Sequence, residues 1–256
     1  MRPLHDFNLF NIQFNRNMET TFATPNKTIG LLLILAGIAL FIPYSILSVT
    51  FEYPVILRQD VGVILSKFHA GGNALICTWW AFAMVGLPLL PAYVLIGQSM
   101  EKQVPYVRWA TTIGVISLIV QMLGLLRWTF VVPVLAQNYL TGNEMAKEAA
   151  KTAFQVIHQY GGVVLGEHVG QLFTIIWTIM ICLAFERLQI MPKWLTRFGF
   201  VASAIYLLAQ TELFATVMPE TPVVGLAGFI GSTLWLIWLI MLGVKFLKGV
   251  RTSNPG

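Results

Sequence analysis

The chain has 256 residues, of which 57% are hydrophobic and only 11% charged, and its mean hydropathy is +0.74. A soluble domain carries roughly a quarter of its residues as charges, so these proportions exclude an ordinary soluble domain and name lipid as the solvent for most of the sequence. The formal net charge of +5 is accounted for by basic residues flanking membrane spans, and nothing in it points to nucleic acid.

Residues 1–27 are polar and mixed in charge, and the apolar run that follows is longer than a signal core and lacks a small-x-small cleavage site. A retained cytoplasmic N-terminal segment is therefore expected. Six apolar stretches come next, at 28–50, 71–97, 109–135, 161–185, 197–217 and 224–246. Each reaches the ~20 residues that a helix rising ~1.5 Å per residue needs to cross about 30 Å of hydrocarbon. Backbone amides left unpaired in hydrocarbon cost several kcal/mol, and the stretches lack the alternation of a membrane barrel, so helices are expected.

Two connections are long. Residues 51–70 mix Val, Ile and Leu with charges, which suits a segment lying at the interface. In 141–160, Thr141 followed by Glu144 fits a capping box, and Met145, Ala149, Ala153 and Val156 recur at helical spacing. This predicts an amphipathic helix on the outer leaflet, ended by Gly161 and Gly162. A cytoplasmic tail, 247–256, follows the last span. The expected fold is all-α, a polytopic membrane protein: a single bundle of six transmembrane helices, 28–246, plus the outer amphipathic helix.

Orientation follows from Lys and Arg near span ends. With a cytoplasmic N-terminus, Arg2, Arg16, Lys27, Lys102, Arg108, Arg187, Lys193, Arg197, Lys245, Lys248 and Arg251 lie inside, and Arg58, Lys67, Lys147 and Lys151 outside. Both termini are then cytoplasmic. Pro43, Pro88, Pro91 and Pro133 fall in or beside spans, where they act as bends. Trp79, Trp80, Trp109, Trp128 and Trp194 suit headgroup level, and Trp235 and Trp238 suit interior packing. Cys77 and Cys182 fall toward opposite surfaces, too far apart for the roughly 7 Å between Cα atoms that a disulfide allows.

The strongly polar residues inside the spans share one level. By helical rise Arg127 lies about 27 Å and Glu212 about 22 Å from the inner starts of their spans, and Glu167 and His168 lie about 10 Å below the outer surface. His69 and Asn73 open span 2 from the same side. An unpaired charge facing lipid near mid-bilayer costs at least about 2.5–3.5 kcal/mol, so Arg127 is expected to pair with Glu167 or Glu212. One arginine does not neutralise two carboxylates, and His168 and His69 are candidate second cations. Glu167, Gln171, Thr174 and Thr178 form a polar stripe, and Gly162, Gly166 and Gly170 a small-residue stripe that admits a neighbouring helix. Ser203, Tyr206 and Gln210 on span 5, and Ser117 and Gln121 on span 3, are read as interhelical hydrogen bonds. His158 is expected at the interface.

Four segments, YPVILRQDVGVILSKFHAGG, WWAFA, LLRWTFVVPVLA and LGEHVGQLFT, together resemble a bacterial membrane-protein family known as domain of unknown function 4386. The resemblance covers most of 28–246, implies a bacterial plasma-membrane protein, and places Arg58, Arg127, Trp128, Glu167 and His168 in family-like segments. His69 stands where relatives are expected to carry a small residue.

The functional expectation is a non-enzymatic membrane protein whose outer-facing polar cavity binds a small solute or lipid headgroup for sensing or transport. The candidate ligand-binding residues are Arg127, Glu167, His168, Gln171, Glu212, Gln210, Asn73 and His69. The alternatives are an embedded enzyme using His168 and Glu167 in acid-base or metal chemistry, and a purely structural subunit whose charges serve folding alone. No HExxH, nucleophile elbow, phosphate loop or dinucleotide fingerprint occurs. No metal or haem is expected.

Overall fold

A computed structural model describes residues 27–249; the expected terminal segments, apart from Lys27 and the first residues of the tail, lie outside the described residues. Its elements are α1 (Lys27–Thr50), a 3-10 turn (Val55–Arg58), α2 (Val61–Met84), α3 (Leu89–Met100), α4 (Val107–Phe130), α5 (Val132–Thr141), α6 (Glu144–Ile157), a π-helical segment (His158–Val169), α7 (Gly170–Leu188), α8 (Lys193–Leu208), α9 (Gln210–Ala215) and α10 (Ala227–Lys248). Among the described residues there is no strand. Six continuous helical stretches are long and apolar enough to cross a membrane.

Prolines and glycines set the breaks between elements. Pro88 precedes α3, and Pro133 occupies the first turn of α5 just past a break at Val131, positions where a missing N–H costs no helical bond. Pro43 sits inside α1. In α2 the chain kinks at Gly72, whose φ of 53° and ψ of −151° are open to glycine alone.

Residues 51–70 pack one side against the bundle. Phe51, Ile56 and Leu57 are buried, and from Val61 the chain is already helical, capped by the Asp60 side chain, which accepts from the Gly62 amide at 2.7 Å. Those apolar residues pack in the bundle because Ile64, Leu65 and Phe68 offer them a partner face.

The capping residue of α6 is Asn143, which accepts from the Ala146 amide at 3.0 Å. Thr141 instead donates to the Gln137 carbonyl at 3.0 Å in the last turn of α5. Asn is at least as good a cap as Thr, and it lies immediately before Glu144. Gly161 and Gly162 do not end the helix, which runs on through the π-helical segment into α7.

Helices α1 and α10 cross where a Cβ on Gly30 would lie 2.7 Å from the Gly243 carbonyl oxygen. That end of the bundle, carrying Lys27 and Lys248, is called the termini end below. Its core joins Tyr93, Trp177, Trp238 and Phe246 with the aliphatic residues of α1 and α10. The opposite end holds an aromatic core in which Trp79 and Trp128, both fully buried, stack at 4.8 Å with 12° between planes. The sequence places these two rings at headgroup level. They are interior instead, because Phe51, Phe68 and Phe154 surround them.

Candidate functional site

The connection between α1 and α2 carries the site's bridging residue. With Ile56 and Leu57 buried, the turn projects Arg58 across the opposite end of the bundle. Its Nε donates to Glu212 Oε1 at 2.9 Å and its Nη2 to Glu167 Oε2 at 3.3 Å. Glu167 lies in the π-helical segment and Glu212 in α9, so one guanidinium ties a connection to two spans. The three side chains retain 31%, 21% and 34% of their exposure. Sequence reasoning assigns this role to Arg127 and counts Arg58 as an outer loop charge that the resemblance places in a family-like segment. The available signal is the apolar Val55-Ile56-Leu57 run, which anchors the turn, together with the need for a further cation beside two carboxylates.

Beside this clasp runs a hydrogen-bonded chain. His168 Nδ1 lies 2.6 Å from Gln210 Oε1, and Gln210 Nε2 donates to Gln171 Oε1 at 3.0 Å. An amide oxygen only accepts, so His168 carries its proton on Nδ1 in this arrangement. The Phe214 ring meets the imidazole edge to face at 5.8 Å. Gln210, read from sequence as an interhelical bond and a site candidate, is buried and joins the π-helical segment and α7 to α9.

Arg127 sits deeper and is not in the clasp. Its guanidinium donates to the Gly124 carbonyl and lies 3.5 Å from His158 Nδ1, with its Cζ 5.2 Å from the Trp128 ring centre. A Cβ on Gly162 would come within 2.5 Å of Arg127 Nη2, so the absence of a side chain there makes room for the arginine. His158, expected at an interface, is drawn in by stacking on Phe154 at 5.3 Å. Among the described residues no carboxylate lies within 4.0 Å of Arg127.

The remaining candidates separate from this group. His69 and Asn73 are exposed on α2 beside the Gly72 kink, with no hydrogen bond to the clasp among the described residues. The stripe on span 4 divides among its neighbours. Thr174 meets Ser117 at 2.7 Å and Gln121 at 3.0 Å, whereas Thr178 accepts from Trp235 Nε1 at 3.0 Å. The glycine stripe faces α4: Gly162 meets Arg127, Gly166 meets Gly124, and Gly170 meets Gln121.

A family model described as Domain of unknown function (DUF4386) matches residues 28–243. The chain belongs to this family. Comparisons with curated proteins and with solved structures each returned no match.

In this DUF4386 member the match takes in the clasp, the His168–Gln210–Gln171 chain and Arg127 together. Among the described residues no three His, Cys, Asp or Glu side chains come together as a metal-binding group. Cys77 and Cys182 are free thiols, one exposed and one buried. Two pockets lie away from the clasp: an open apolar groove of about 750 Å³ between α5 and α6, lined by Leu135, Ala149, Ala153 and Val156, and a small one of about 80 Å³ beside Gln121 and Trp235. What the clasp offers chemically is two acceptor carboxylates and one five-donor guanidinium at a partly open surface, with a hydrogen-bonding imidazole behind them.

Proposed function

We propose that this protein is a multi-pass bacterial plasma-membrane protein with cytoplasmic termini, in which Arg58, Glu167 and Glu212, backed by His168, Gln210 and Gln171, bind a small solute or lipid headgroup at the outer end of the bundle for sensing or transport. The observation that carries this reading is the Arg58 clasp: its charged groups are partly open, and it closes a connection over two spans. A zwitterion bearing both an amine and an anionic group matches it, with the ammonium on the carboxylates and the anion on Arg58. Such a ligand would exchange internal ion pairs for its own and so bias the position of the connection.

In the same reading α6 rests on the outer leaflet. Met145 and Val156 are strongly exposed apolar side chains, while Glu144–Lys147 and Glu148–Lys151 pair along its charged side at 2.8 Å each.

The test uses the purified chain in phosphatidylcholine nanodiscs, with melting temperature read against O-phosphoethanolamine in solution and, separately, against phosphatidylethanolamine in the disc. A rise that Arg58→Gln and Glu212→Gln each abolish supports the binding site, and the arm that produces it distinguishes a free solute from a lipid headgroup. The second reading, a purely structural clasp, is favoured by the direct pairing of Arg58 with both carboxylates, which leaves each charge already partnered. It stands if neither arm moves the melting temperature while the variants lower it.

A further inference from the structure

Arg127 is buried with no carboxylate in contact among the described residues, and Glu167 of the clasp acts on it only through space. The arginine is 7% exposed, and its Nε has no hydrogen-bond partner among the described residues. His158 faces its Nη2 through Nδ1 at 3.5 Å. Because a guanidinium only donates, His158 Nδ1 is the acceptor and the ring proton sits on Nε2. That Nε2 is also buried without a partner among the described residues, as is Nε1 of the fully buried Trp79.

The three N–H groups share one aromatic neighbourhood. Trp79 stacks on Trp128 at 4.8 Å, His158 meets Trp128 at 6.2 Å, and the Arg127 Cζ lies 5.2 Å from the same ring. The set consists of donors alone and carries a positive charge. Among the described residues the only acceptors that Arg127 reaches are the Gly124 carbonyl and the imidazole, both neutral. A buried cation with no carboxylate in contact is only partly compensated, and an unmatched buried donor costs about 1–3 kcal/mol.

We infer that the Arg127, His158 and Trp79 N–H groups form a binding site for a small inorganic anion of the halide class, buried beneath the clasp. Donor-only chemistry selects an anion over a cation or a metal. The rings of Phe154, Trp128 and Trp79 packed about these donors favour a small anion over the polar remainder of an organic acid. The anion site uses residues other than those of the clasp and stands or falls separately from it.

The experiment uses the full chain in nanodiscs in sodium gluconate, titrated with sodium bromide. Melting temperature and tryptophan fluorescence are followed, and crystals grown in bromide are examined for anomalous scattering. The expected result is a saturable rise in melting temperature, quenching by bromide, and an anomalous peak beside Arg127. Arg58→Gln retains all three. Trp79→Phe weakens bromide by about tenfold, the scale of one lost charge-assisted hydrogen bond, and folded Arg127→Gln shows no response. If the wild-type chain melts identically in gluconate and bromide and shows no anomalous peak, the site does not exist. A response of Arg127→Gln equal to that of the wild type overturns the proposal as well.

Discussion

Arg58 and Glu212 meet at 2.9 Å although 154 positions separate them in the chain. The contact closes the first connection over the end of span 5, and Glu167 extends it to span 4 at 3.3 Å. Because all three side chains are partly exposed, each pair should contribute on the scale of a surface ion pair, about 0.2–1 kcal/mol. Removing Arg58 also leaves two carboxylates facing each other without their shared cation.

Double-mutant cycles measure this directly. Arg58→Gln is expected to destabilise the protein more than either Glu167→Gln or Glu212→Gln, with positive coupling of about 0.5–1 kcal/mol between Arg58 and each glutamate, read by reversible denaturant unfolding in detergent. Zero coupling in both cycles would mean that the clasp does not hold the connection.

The crossing of α4 with the glycine stripe predicts an asymmetry between two similar substitutions. A Cβ at Gly124 would lie 2.7 Å from the Gly166 Cα and 2.8 Å from the Gly161 carbonyl oxygen, both backbone atoms that cannot rotate away. A Cβ at Gly166 would meet its nearest atoms at 3.4 Å. Gly124→Ala is therefore expected to cost about 1–3 kcal/mol and Gly166→Ala to be close to neutral. Equal thermal shifts for the two variants would refute this crossing geometry.

The parts readable from sequence and the parts that are not divide on physical grounds. Span positions follow from runs such as 28–50 and 224–246, whose apolar length is a local property, and Lys27–Thr50 and Ala227–Lys248 match them within a few residues. The glycine stripe is readable for the same reason, since four-residue spacing alone places Gly162, Gly166 and Gly170 on one face. Pairing is not. Depth arithmetic puts Arg127 level with Glu167 and Glu212, but depth says nothing about azimuth, and Arg127 turns toward Gly162 and His158. Arg58 escapes such reasoning because a residue in a connection has no helical register from which to place it, and its position depends on Ile56 and Leu57 finding the α2 core. The π-helical winding of His158–Val169 has no periodic signature that hydrophobic spacing would reveal.

Gln210 is the only link between His168 and Gln171 among the described contacts, accepting at 2.6 Å and donating at 3.0 Å. Gln210→Leu strands both neighbours while keeping a side chain of similar volume. Interhelical hydrogen bonds in membranes average about 0.6 kcal/mol, so losing two should cost about 1–2 kcal/mol. Gln210→Glu keeps the acceptor for His168 but loses the donor to Gln171, and an intermediate loss is expected. Equal stability of Gln210→Leu and wild type by thermal unfolding would show that the chain contributes nothing to helix association.

Orientation is open to a test that needs no ligand. Six spans place the connections at residues 101–106 and 189–192 on the same side as Lys27 and Lys248, and the connections carrying Arg58 and Asn143 on the other. The excess of Lys and Arg on the first side predicts that it is cytoplasmic. A reporter enzyme active only outside the cytoplasm should therefore be active when fused after Gly142 and silent when fused after Gln103. The reverse pattern would place the Arg58 clasp on the cytoplasmic face, where a solute arriving from outside could not reach it. The proposed site would then have to draw its ligand from the cytoplasm or the inner leaflet.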